Sequence, residues 1–345
     1  MISFLNVRFA LPIVMGLAHC CGAFAAAAPA DAPAPADAPA PNKPLPVALV
    51  DAFNVLSKGP HKGFRANHAK GVMVEGTFTP SPAASSFSKA PHFAKAVKVL
   101  VRFSDPTGVP TLPDADPNAS PHGIAIRFTL PDGAATDIVS ISANGFPVAT
   151  PEDFLAFLQA AAQSGPDAPK PTPIEKFLGT HPAAVKFVST PRPAPVSFAT
   201  LAFYGVNAFK FTNAKGVSHY ARYQIIPAAG EHALSDAEAA KAAPNYLMDE
   251  LPQRLAQGPV KFRLLAQVAA EGDSLDDATS TWPPDRKLVS LGTLTLTQTV
   301  KDQATAQKLI MFSPLNLAAG IEPSADPVLL ARPAAYGVSF SQRIQ

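Results

Sequence analysis

Eight alternating or β-rich runs, in two groups of four, constrain this 345-residue chain more tightly than any other feature. They lie near Val72–Thr79, Val97–Ser104, Gly123–Leu130 and Asp137–Ser142, then near Val206–Thr212, Val217–Ile226, Val260–Ala269 and Leu288–Thr297. Side chains alternate across a strand, so each run offers one face to a core and the other away from it. Parallel neighbours would need helical crossovers, and most of the intervals hold none. Asn213-Ala214-Lys215-Gly216 has the residues of a hairpin turn. The expectation is an α+β domain whose eight mainly antiparallel strands close a barrel.

Helices fit between and after the two groups. Thr150-Pro151-Glu152-Asp153 starts one over Phe154–Gln163, Ser235-Asp236-Ala237-Glu238 is a capping box, and Tyr246–Gln257 stops at Gly258-Pro259. From Val47 to the C-terminus no low-complexity run appears, so 47–345 reads as one domain. A 47% hydrophobic content supports a substantial core in a chain this long.

The start of the chain has a different character. Arg8 is followed by an uncharged, largely apolar stretch from Phe9 that reaches Ala23-Phe24-Ala25, a small-x-small cleavage pattern, so 1–25 reads as an export signal and the protein as periplasmic. An uncleaved anchor is the alternative, because the charge-free run continues to Ala30. Residues 26–46 alternate Pro and Ala and read as a flexible linker. Cys20 and Cys21 both precede the cleavage point, so the mature chain holds no thiol, disulfide or cysteine ligand. Loss of Arg8 leaves 27 basic against 26 acidic residues, which excludes a nucleic-acid footprint.

The chemistry-bearing residues are dispersed. Arg65-Ala66-Asn67-His68-Ala69-Lys70-Gly71 sets one imidazole among cations beside the first strand, a setting in which a lone histidine is more often structural than catalytic. In Val97-Lys98-Val99-Leu100-Val101-Arg102-Phe103-Ser104 the period of two puts Arg102 and Ser104 on one face, suited to orienting an imidazole and binding an anion, or simply a solvated face. Near the end come Phe312-Ser313-Pro314, Gly320-Ile321-Glu322-Pro323-Ser324-Ala325-Asp326 and Arg332-Pro333-Ala334-Ala335-Tyr336.

These pieces, in this order, resemble catalases, and the chain is similar to the short catalase-related haem peroxidases of that superfamily. The likeness runs from about Val47 to Gln345 and includes Asp277-x-Thr279-x-x-Trp282-Pro283 as well as the runs quoted above. It implies a catalase-like barrel with flanking helices and a buried haem b, whose iron takes Tyr336 as proximal ligand. Arg332, one helical turn before Tyr336, would favour the phenolate. His68 would be the distal acid/base residue, Ser104 its hydrogen-bond partner and Phe154 an aromatic stacked near the haem. Arg65, Arg102 and Arg343 would pair with propionates, and Arg343 lies two helical turns beyond Tyr336, as one cofactor requires. The implied activity is reduction of hydrogen peroxide or organic hydroperoxides by a small-molecule electron donor, with homo-oligomerisation left open.

The resemblance has departures. Catalases carry two adjacent asparagines where Ile141 and Ser142 stand here, and isoleucine cannot hydrogen-bond a peroxide, so weak dismutation is expected. Asn67 takes the place of the valine that usually precedes the distal histidine. Pro333 disfavours helix at Arg332, which predicts a proximal helix that starts late or bends. Two other functions suit the same residues: a non-enzymatic barrel carrying haem or an apolar ligand, and a haem enzyme that rearranges hydroperoxides.

Overall fold

The computed structural model describes residues 43–345, so the export signal and all but the end of the expected linker lie outside the described residues. Helix α1 (Leu45–Ser57) precedes strand β1 (Gly71–Pro80), a short α2 (Ala84–Phe87), β2 (Val97–Ser104), β3 (Gly123–Thr129) and β4 (Ala135–Ile141). Helices α3 (Pro151–Ala162), α4 (Pro173–Thr180) and α5 (Pro182–Ser189) follow, then β5 (Phe203–Tyr204), β6 (Phe209–Thr212) and β7 (Ser218–Pro227). The chain ends with α6 (Asp236–Ala239), α7 (Tyr246–Gln257), β8 (Val260–Val268), β9 (Leu288–Thr299), α8 (Gln303–Leu309), β10 (Ile321–Pro323) and α9 (Pro327–Ile344).

Every ladder is antiparallel, and the β7–β8 pairing closes the sheet on itself. The short β5 and β6 pair in turn with the two ends of β7, so together they serve as one interrupted strand of the eight-stranded barrel. The expected run Val206–Thr212 is therefore strand only from Phe209; residues 205–208 leave the ladder, anchored by the Gly205 amide donating to Tyr223 O at 2.8 Å. The expected hairpin forms, with Gly216 at φ +80° and its amide donating to Asn213 O at 3.0 Å.

The barrel interior is filled. Phe78, Phe103, Phe128, Phe203, Phe211 and Phe262 are fully buried, and Phe103 meets Phe203 and Phe262 at ring separations of 5.8 and 5.9 Å. An eight-stranded barrel is just wide enough for side chains to fill it. A ligand carried in the lumen, one of the readings open from sequence, has no room there. The opposite faces of β2, β3 and β4 are left to be covered by helices.

Local chemistry explains the covering helices. Thr150 Oγ1 accepts from the Asp153 amide at 3.1 Å and Pro151 occupies the first turn, so α3 begins where expected. Helix α1 was not legible in the sequence; its start at Leu45 takes the last two residues of the expected linker into the fold. Helix α9 corrects the expectation for Pro333. It starts six residues earlier, at Pro327, with Asp326 Oδ1 accepting from the Val328 and Leu329 amides at 2.9 and 3.2 Å. Pro333 removes one intrahelical bond, but the cap and the burial of Val328 and Leu329 hold the helix through it.

One buried base, in the single turn Pro91–Phe93 before β2, has no polar compensation among the described residues. His92 packs against Phe93 and Phe128 at 4.2 and 4.8 Å, its Nδ1 has no hydrogen-bond partner, and burial lowers its pKa from 6.5 to about 3. The unfolded chain would take up a proton near the ordinary value while the folded ring stays neutral. Stability is thus undiminished above about pH 6.5 and is lost as pH falls toward about 3. His92→Phe should flatten that decline by about one proton, roughly 1.4 kcal/mol per pH unit. Urea midpoints measured from about pH 7 to about pH 4 in both proteins would check this; parallel slopes would assign the acid sensitivity to other groups.

Candidate active site between the barrel wall and three helices

A cavity of about 250 Å³ lies between the outer face of β2–β4 and helices α1, α3 and α9. All eight residues expected at the site line it: Arg65, His68, Arg102, Ser104, Phe154, Arg332, Tyr336 and Arg343. The alternation of β2 does this on one side, since Val99, Val101 and Phe103 enter the core while Arg102 and Ser104 face the cavity. On the other side Arg332, Tyr336, Ser339 and Arg343 fall at helical spacing along one stripe of α9.

His68 stands in a rare left-handed backbone conformation at φ 57°. Arg102 holds the turn: one Nη2 donates to His68 O at 2.9 Å and to Ala69 O at 3.1 Å, while Nε donates to Gln307 Oε1 at 3.0 Å. The ring is set by Ser104 Oγ, 3.0 Å from Nδ1, and by Gly123 beneath it. A Cβ at Gly123 would sit 2.8 Å from His68 Cε1 and 3.0 Å from Ser104 Oγ. Desolvation, then the Arg102, Arg65 and Arg332 charges and His122, lower the His68 pKa from 6.5 to about 3. At neutral pH the ring is an uncharged base. With Nδ1–H donating to Ser104, Nε2 is left to accept a proton.

Behind this rung lies a second one that sequence reasoning missed. Gly71, Ser104 and Gly123 are register partners across β1, β2 and β3, so Lys70, Asp105 and His122 form the adjacent rung on the opposite face. His122 Nδ1 lies 2.9 Å from Asp105 Oδ1, and buried Lys70 pairs with Asp114 while donating to Leu112 O and Pro244 O, both at 2.8 Å. Burial raises the Asp105 pKa to about 6, against the hydrogen bond from His122. The pairing of Asp105 and Asp114 with residues far along the chain gave no sequence signal.

Opposite His68, Tyr336 Oη accepts from Arg332 Nε at 3.0 Å and Nη2 at 2.9 Å, and Asn207 Oδ1 accepts from Arg332 Nη1 at 2.8 Å. Asn207, on the segment interrupting β5 and β6, also donates to Asp326 Oδ2 at 2.7 Å. It thus joins the start of α9 to the guanidinium, a role that only the fold reveals. Arg65 Nη2 and Arg343 Nη2 donate to the same carbonyl, Ile310 O, at 3.0 and 2.8 Å.

None of Arg65, Arg102, Arg332 and Arg343 forms a salt bridge among the described residues. Burial lowers the pKa of Arg102 to about 9, with Arg343 adding to the effect, and burial lowers that of Arg343 to about 10. Buried cations without counter-charges are costly unless an anion completes the site. Apolar walls from α1, α3 and β4, four arginines of which Arg102 and Arg343 are buried, and a phenol clasped by Arg332 suit a flat, apolar, dianionic group with a metal at its centre. The Asp277–Pro283 motif is instead structural: Trp282 stacks under Arg222, 4.4 Å from the ring centroid, and Phe146 of the cavity wall is tied to it by its amide donating to Ala278 O at 3.0 Å.

Comparison with known proteins agrees with this architecture. The family model described as Catalase matches residues 63–345. The catalase-related peroxidase of Mycolicibacterium paratuberculosis is 37% identical over 289 residues, 83% of this chain and 90% of that protein. The catalase-related peroxidase of Synechococcus elongatus is 35% identical, over 83% of this chain and 85% of that protein. The crystal structure of a fungal catalase superposes with a TM-score of 0.73 at 24% identity, covering 86% of this chain and 62% of that one, which shows a shared fold. With the match spanning the barrel, the covering helices and α9, the chain belongs to the catalase family.

Proposed function

We propose that this protein is a haem peroxidase, reducing hydrogen peroxide or organic hydroperoxides with electrons from a small-molecule donor, and that its haem is haem b. The observation that carries the reading is one cavity holding a neutral, oriented imidazole on one wall and an arginine-clasped phenol on the other. The named relatives, both catalase-related peroxidases, support it.

Haem held here would supply the redox chemistry that peroxide reduction by a donor requires. Tyr336 is the residue to ligate its iron, its Oη held in place by two hydrogen bonds from Arg332. Arg65, Arg102 and Arg343 each keep Nη1 free of partners among the described residues, and these nitrogens would be the ones to pair with the propionates. Phe154, wedged between Phe53 and Phe146 at 5.9 and 4.9 Å, forms the apolar wall. His68 takes the proton from one peroxide oxygen and returns it to the other as the bond breaks, a transfer worth about a hundred- to ten-thousand-fold in rate. Ile141 in the cavity wall gives no hydrogen bond to a second peroxide, which supports weak dismutation. Export through residues 1–25 and a tether that ends before α1 at Leu45 belong to the same proposal, on the composition of those residues alone.

Haem-loaded wild type should oxidise a dye donor with peroxide while releasing little oxygen. In His68→Ala, donor oxidation should fall about a hundredfold or more at unchanged haem content; full activity in that variant would remove His68 from its role. Tyr336→Phe should fail to give the ferric haem spectrum of the wild type, and an unaltered spectrum would show another axial ligand. Gly123→Ala should retain haem but lose at least about tenfold in kcat/KM, because its Cβ displaces the imidazole by the few tenths of an ångström that proton transfer does not tolerate.

A further inference from the structure

Among the polar side chains of the cavity, most are committed to the protein. Ser104 is bonded to His68, Arg102 to backbone carbonyls and Gln307, Asn207 to Arg332 and Asp326, Tyr336 to Arg332, and Ser339 Oγ to the Ala66 amide at 3.1 Å. Ser140 is the register partner of Ile124, a core residue, which places its hydroxyl on the barrel-interior side of β4. Asn67 is different: it lines the cavity immediately before His68, and among the described residues its buried Oδ1 has no partner and its Nδ2 makes no hydrogen bond. A buried amide oxygen left unpaired is unfavourable, so such a group in a native pocket calls for a partner that the chain does not supply.

The backbone around Asn67 is fixed from both sides. The Ala66 amide is held by Ser339 on α9, the carbonyls of His68 and Ala69 by Arg102, and the Ala69 amide by Thr107 O at 2.8 Å. The wall facing this segment is apolar, with Ala125, Val139 and Ile141. A small polar molecule entering beside His68 therefore meets on that segment, besides the donor-only Arg65 guanidinium, a side chain that carries both an uncommitted donor and an uncommitted acceptor.

We propose that Asn67 holds hydrogen peroxide by its far oxygen while His68 handles the proton, and that it makes the site prefer hydrogen peroxide over alkyl hydroperoxides. The inference rests on the peroxidase reading of the site. Hydrogen peroxide has an O–H on each oxygen, so the oxygen remote from the reacting one can donate to Asn67 Oδ1 and accept from Nδ2–H. In an alkyl hydroperoxide that oxygen bears carbon in place of hydrogen and has nothing to donate. A site with a buried acceptor discriminates against the molecule that leaves it unpaired.

The test compares haem-loaded wild type with Asn67→Val, of similar size but without hydrogen-bonding atoms, and with Asn67→Gln, which restores the amide. Dye oxidation is followed with hydrogen peroxide and with tert-butyl hydroperoxide, and the infrared C–O stretch of the ferrous carbonyl complex is recorded as a readout independent of turnover. The valine variant should lose about tenfold in kcat/KM for hydrogen peroxide and less than about threefold for tert-butyl hydroperoxide, as loss of one hydrogen bond predicts. Its C–O stretch should rise as a nearby donor is lost, and the glutamine variant should recover part of both effects. An unchanged or increased preference for hydrogen peroxide in Asn67→Val, or an unmoved C–O stretch, would overturn the proposal even with an active enzyme. A wild type that loads no haem, or whose peroxide reaction is independent of His68, would overturn the peroxidase reading and this inference together.

Discussion

Closure of the barrel through the β7–β8 ladder leaves the eight main strands without a free edge and turns one face of each strand inward. That inner face is packed with phenylalanine and branched aliphatic side chains, so the lumen is core and not a binding chamber. Everything functional is consequently displaced to the outer face of β2–β4, which α1, α3 and α9 convert from a surface into a wall. The same alternation that builds the core on odd positions of β2 thereby fixes Arg102 and Ser104 in the site.

The site is a balance of uncompensated charge. Four arginines meet in an apolar cavity with no carboxylate paired to them among the described residues, and two share a single backbone carbonyl. Their mutual repulsion and desolvation are unfavourable in the protein alone, and they also discourage His68 from taking a permanent proton. One electrostatic arrangement thus serves two ends: it makes the cavity hospitable to an anion and keeps the positive charge on the arginines, leaving the imidazole uncharged. The Lys70–Asp105–His122 rung, closed by Asp114, lies directly behind and holds nearly balanced charge in the barrel end. It secures the β1–β2–β3 register on which the position of His68 over Gly123 depends.

Backbone geometry matters as much as charge. His68 occupies a left-handed conformation that its neighbours enforce through Arg102, and Gly123 leaves room for the ring where any side chain would collide. Arginine at position 102 is therefore a clamp on the distal segment as well as a cation beside the cofactor site. Its substitution would act through the histidine before it acted through any ligand.

The sequence by itself determined the eight main strands, because a period of two is written locally in residue type, and it determined the starts of α3 and α6 through Thr150 and Ser235. Which residues line the cavity was legible only through the resemblance to catalases; the local pattern placed Arg332, Tyr336 and Arg343 on one helical stripe and Arg102 and Ser104 on one strand face without saying what those faces meet. Only the tertiary structure decided the rest. That the cavity lies outside the barrel follows from sheet closure and from the packing of α1, whose amphipathic pattern has no local start signal beyond Pro44. The continuity of α9 through Pro333 depends on burial of Val328 and Leu329 and on the Asp326 cap, which together outweigh a local preference against helix. The linkage of Asn207 to Arg332, and of His122 to Asp105, joins residues 125 and 17 positions apart. Hydrogen bonds of that kind have no period and no motif; they exist only once the strands are in register.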